Sequence, residues 1–129
     1  MDDPLDPSAW IARAEEDFAL AQSALRRKTP LTYGTTFHAQ QCIEKYLKAL
    51  LIIRHFLFPR THDLVALAEL CGRADIILPV EMDELERLNA FSVQVRYPGI
   101  RPTVEEAQET LQMARILRRF CRKNLGLSK

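Results

Sequence analysis

The sequence predicts an all-α protein, an up-and-down antiparallel bundle of about five helices. Three observations carry that expectation. Apolar residues recur at alternating spacings of three and four over long stretches, the period of a helix with one buried face. Prolines and capping residues interrupt those stretches at close intervals, and short connections between long helices favour antiparallel neighbours. No stretch shows a convincing alternation with the period of a strand.

The first helix is expected to start at Asp6-Pro7, where aspartate caps free N–H groups and proline fits the first helical position. Ile11, Ala14, Phe18, Ala21 and Leu25 line one face, and Arg26, Arg27 and Lys28 suit the negative end of the helix dipole. The second helix follows Thr29-Pro30 and is expected to run to about Phe58, with Pro59 ending it. Ala39, Ile43, Tyr46, Leu50 and Ile53 form its inner stripe, widened by Leu47 and Leu51. A helix this apolar is central, or buried on two sides as in a dimer. Thr61-His62-Asp63 opens a third helix with Leu64, Leu67, Ala68 and Cys71 on one face and Gly72 as its stop. Pro79 is expected to begin a fourth, with Leu85, Leu88 and Phe91 inward. The segment from Arg96 to Pro102 holds two prolines and a glycine and cannot be regular helix. Thr103-Val104-Glu105-Glu106 is a capping box, starting a last helix with Val104, Ala107, Leu111, Ala114, Leu117 and Cys121 on one face.

A chain of 129 residues suits one domain, here residues 1–129, and can bury enough surface to fold without disulfides or metals. The net charge of +1 gives no global footprint for nucleic acid, so such binding requires a local patch. Cys42, Cys71 and Cys121 are odd in number and widely spaced, which points to reduced, partly buried thiols. The acidic start Met1-Asp2-Asp3-Pro4 lacks a signal pattern, and no apolar run is longer than that from Ala49 to Ile53, far short of a membrane span. The expectation is a cytoplasmic protein with no membrane association.

Catalytic motifs are mostly absent: there is no glycine-rich phosphate loop, no HExxH and no GxSxG. Four sets of polar residues nevertheless go beyond what core packing requires. His38, Gln41, Lys45 and Lys48 share one face of the second helix, with Gln40 and Glu44 beside it. They form either an interface or phosphate-contacting edge or, the plainer and favoured reading, a solvated helix face. His62 can cap, bind an anion or do acid–base work, or simply fix its loop. Arg96-Tyr97-Pro98 can present a guanidinium and a phenol in rigid geometry, or serve as a structural turn. Arg115, Arg118, Arg119 and Arg122 form a basic stripe for RNA phosphate or, as favoured here, pair with Glu15, Glu16 and Asp17 of the first helix. His38 and Cys42 have ligand spacing, but no second pair matches them, so no metal is expected.

These places coincide with a known pattern. The run from Phe37 to Leu50 resembles the core signature of HEPN domains, the higher-eukaryote and prokaryote nucleotide-binding family, with "QQ..EK.LKA" its most specific part. Thr61-His62-Asp63-Leu64 is similar to the family's THDL element, and Arg96-Tyr97-Pro98 to its RYP element. Trp10, Ala14 and Asp17 fit the first-helix pattern. The resemblance implies a helical bundle that forms a homodimer, acts beside a minimal nucleotidyltransferase in toxin–antitoxin-like pairs, and contacts nucleotide or RNA without a cofactor. Its motif residues here are Gln41, Glu44, Lys45, Lys48, His62, Arg96 and Tyr97, which could bind nucleotide or RNA, hold a dimer or tie helices together. Many HEPN proteins are metal-independent ribonucleases marked by an arginine followed, after four to six residues, by a histidine. No arginine here has that spacing before His38, His55 or His62, and no histidine follows Arg96. No catalytic residue is therefore assigned, although His62 and Arg96 would be the candidates for an atypical ribonuclease. A purely structural dimeric module is the remaining alternative.

Overall fold

The structure, a computed structural model, describes residues 4–94 and 97–127. Among these it has five helices and no strand: α1 (Pro7–Arg26), α2 (Thr32–Ile53), α3 (Leu64–Arg73), α4 (Met82–Gln94) and α5 (Val104–Asn124). The local chemistry sets most of the starts. Asp6 accepts from the Ser8 N–H at 3.0 Å with Pro7 in the first turn. Asp63 accepts from the N–H groups of Val65 and Ala66 at 3.0 and 3.2 Å. The capping box is complete: Thr103 Oγ1 accepts from the Glu106 N–H at 3.0 Å, and Glu106 Oε1 accepts from the Thr103 N–H at 2.8 Å. Each bond satisfies a donor the helix itself leaves free.

Three boundaries differ from expectation. The fourth helix begins at Met82 rather than Pro79, because the Glu81 carbonyl accepts the first helical bonds while its N–H donates to the Glu84 carboxylate at 2.9 Å. The second ends at Ile53, not near Phe58. His55 takes a left-handed conformation (φ 62°), its N–H donates to Ile52 at 3.0 Å, and the Phe56 N–H reaches back to Leu51 at 2.9 Å. This is a Schellman stop, and it leaves Ile53 42% exposed, off the inner stripe. The third helix passes through Gly72 and stops the same way, with Asp75 at φ 61° and the buried Ile76 bonded back to Cys71.

The core forms around α2, whose Ala39, Ile43, Tyr46, Leu47, Leu50 and Leu51 are buried. Helices α1, α5 and α3 surround it, and α4 packs on α3. A hydrogen bond from Gln40 Nε2 to the Leu88 carbonyl, 2.9 Å, ties α4 to α2. Neighbours within one chain thus account for the apolar character of α2. The pairings show α1 and α2 antiparallel: Trp10 meets Lys48, Glu15 meets Tyr46 and Asp17 meets Lys45. A second antiparallel hairpin joins α3 to α4, with Asn89 accepting from the Leu64 N–H at 3.1 Å. Between the hairpins, residues 54–63 return the chain to the level of Glu44.

The cysteines are fully buried and free. Burial pushes the Cys71 thiol up to about 12 and raises those of Cys42 and Cys121 well above the ordinary range, so all three act as packing groups. Among the described residues no helix is long and apolar enough to cross a membrane.

Candidate functional site

Three carboxylates organise the polar residues around α2. Asp17 lies on the buried face of α1 with Ala14, Phe18 and Ala21. Its Oδ1 accepts from His38 Nδ1 at 2.8 Å, and its Oδ2 pairs with Lys45. Glu44 is arranged in the same way on the other flank: Oε1 accepts from His62 Nδ1 at 2.9 Å and Oε2 from Lys48 at 3.0 Å. An ionised carboxylate can only accept, so each histidine carries its proton on Nδ1, and in the largely exposed His62 ring Nε2 lies on the side away from Glu44. Glu15 accepts from Tyr46 at 2.5 Å and from Arg118 through two bonds of 2.7 Å, with Arg122 at 3.7 Å.

Burial separates these groups by role. The side chains of Glu44 and Lys48 are 5% and 6% exposed, whereas that of His62 is 76% exposed. The Lys48 ammonium also sits over the rings of Trp10 and Phe58, 5.0 and 5.7 Å from their centres. It is therefore enclosed by a carboxylate and two aromatic faces, which stabilise a cation where water is excluded. The favoured reading of this stripe as a solvated face does not hold for Glu44 and Lys48: helical spacing brings them inward, under the returning segment that carries Phe58 and His62.

Around Glu15, burial raises the carboxyl pKa, but the hydrogen bonds from Arg118 and Tyr46 and the charges of Arg118 and Arg122 outweigh it, leaving the pKa below its ordinary value. Arg118 also lies over the Phe18 ring at 4.9 Å. The expected pairing of the basic stripe with α1 is thus observed for Arg118 and Arg122. Arg115 instead donates to Gln112 at 2.7 Å, and Arg119 is exposed.

The expected site residues divide accordingly. Glu44, Lys48 and His62 form one cluster. Lys45 belongs to another, with Asp17 and His38. Gln41 is half-buried on the same helix face. Tyr97 is 63% exposed and opens a turn through Pro98 and Gly99 (φ 90°), closed by the Ile100 N–H on the Tyr97 carbonyl at 3.2 Å. Proline and then glycine in that order suit a type II turn. Arg96 lies outside the described residues. Sequence reasoning passed over Asp17 as a partner of His38 and Lys45. Its place on the apolar stripe between Ala14 and Ala21 was the available signal, because a buried acid needs a counter-charge.

The chain matches the family described as "HEPN domain" over residues 7–124. The protein belongs to the HEPN family. This HEPN domain is also 43% identical over 51 residues, 40% of the chain, to a Methanocaldococcus jannaschii protein named "Putative toxin MJ1304". The match covers 32% of that relative's length. No solved structure matches the chain. Within this HEPN domain, the motif residues Glu44 and Lys48 are a buried internal pair, and His62 is the member of their cluster that reaches solvent.

Proposed function

We propose that this HEPN domain is the homodimeric partner of a minimal nucleotidyltransferase in a toxin–antitoxin-like pair and contacts nucleotide or RNA at His62. The observation that carries the reading is the division of roles among the motif residues. Lys45 and Lys48 are committed to Asp17 and Glu44, so neither is a loose cation for phosphate. His62 stands in solvent with Nδ1 anchored and Nε2 outward, offering one directed hydrogen-bonding position to a phosphate or a base edge. The name carried by the Methanocaldococcus relative supports the toxin side of the reading, and family membership supports the nucleotide side.

Co-purification from the native host, with mass spectrometry of bound protein and extraction of bound nucleotide or RNA, tests both parts. The wild type is expected to bring down a nucleotidyltransferase together with nucleotide or RNA. His62→Ala should fold normally and bind the recovered nucleic acid about tenfold or more weakly, the scale of one hydrogen bond to a charged group. Recovery of the homodimer alone would sink the proposal.

The Glu44–His62 pair favours a second reading, an atypical metal-independent ribonuclease. A carboxylate on Nδ1 holds an imidazole in the tautomer that acid–base catalysis at Nε2 uses. RNA cleavage that persists in a chelator and disappears in His62→Ala would move the assignment from binding to catalysis.

A further inference from the structure

The exposed side of α5 carries a pattern that contacts within the chain leave unexplained. Glu105, Glu109, Gln112, Ile116, Arg119 and Lys123 recur at spacings of four, three, four, three and four, averaging one helical turn, so they form one stripe along the helix. All six are exposed. The acids occupy its first half and the bases its second. The helix dipole accounts for acids in the first turn and bases in the last, but Glu109 and Arg119 lie beyond those turns. Like charges stand four residues apart at both ends, Glu105 with Glu109 and Arg119 with Lys123, an arrangement that mildly opposes the isolated helix. Among the described residues, none of these four side chains has an ion pair within the chain.

The stripe is complementary to itself when reversed. Glu105 and Lys123 lie nine residues either side of Ala114, Glu109 and Arg119 five, and Gln112 and Ile116 two. We propose that a second copy of this chain docks on α5, the two α5 helices crossing antiparallel about a two-fold axis near Ala114. Glu109 of each copy then meets Arg119 of the other, Glu105 meets Lys123, and Ile116 packs beside Gln112. A two-fold contact requires such a self-complementary patch. Beside the stripe, a groove of about 730 Å³ separates α4 from α5, lined by Leu88, Phe91, Met113 and Ile116 among others. It supplies apolar surface along the edge of the crossing. The proposal takes only the homodimer from the proposed function and does not depend on a nucleotide or toxin role.

Sedimentation equilibrium of the full chain, with helicity checked by circular dichroism, tests it. The wild type is expected to be a dimer that weakens as salt rises. Glu109→Arg and Arg119→Glu each place like charges at two symmetric crossings and should weaken the dimer about tenfold or more. Mixing the two variants restores opposite charges at both crossings, so the mixture should form a heterodimer of roughly wild-type strength. A wild type that stays monomeric to about millimolar concentration, beyond any specific association, overturns the homodimer and this interface together. A wild-type dimer unaffected by either single variant overturns the α5 interface and leaves the homodimer standing.

Discussion

Lys48 illustrates at the residue scale how a motif position can look like a surface feature and behave as a buried one. Its ammonium has Glu44 at 3.0 Å and two aromatic faces around it. Removing one member of a buried pair strands the other charge, so Lys48→Met is expected to cost about 3–5 kcal/mol. The double variant Glu44→Gln/Lys48→Met should cost less than Lys48→Met alone, because no lone charge remains; urea denaturation of the set measures both. The resemblance pointed to Glu44, Lys48 and His62, and the structure brings them together. It did not reveal that burial would reverse their roles, because that depends on residues 54–63 folding back over the helix. Periodicity within one helix carries no information about such a return.

Helix starts were more legible than helix ends. Asp6, Asp63 and the Thr103–Glu106 box act through side chains within three residues of the boundary, so the sequence displays them directly. The stops at His55 and Asp75 depend on a backbone conformation that non-glycine residues seldom adopt, while the more conspicuous Gly72 and Pro59 do not mark the observed ends. His55 at φ 62° bears a left-handed cost that glycine avoids, partly offset by glycine's greater freedom when unfolded. His55→Gly is therefore expected to stabilise the protein by about 0.5–1 kcal/mol, raising the thermal midpoint. A lower midpoint would mean that the histidine ring makes a compensating contact.

For the whole molecule, Glu15 is the point where α1, α2 and α5 converge. Its pKa lies below the ordinary 4.5, so its contribution to stability is fully present above that value and disappears as the pH falls through the lower folded-state value. Glu15→Gln is expected to cost about 1–2 kcal/mol at pH 7, a modest figure because the carboxylate is about one-third exposed. The difference between variant and wild type should shrink below about pH 4.5 and vanish in stronger acid. A gap that stays constant down to pH 2 would assign the loss to packing.

The same convergence bears on synthesis. Glu15 and Arg118 are 103 residues apart, so the acid emerges from the ribosome long before its guanidinium. The α1–α2 hairpin can associate early, but until α5 arrives its Glu15 and Tyr46 have no cation and one side of α2 has no cover. Closure is thus deferred to the translation of α5, and a nascent chain halted before Arg118 would expose an apolar flank for chaperones to hold.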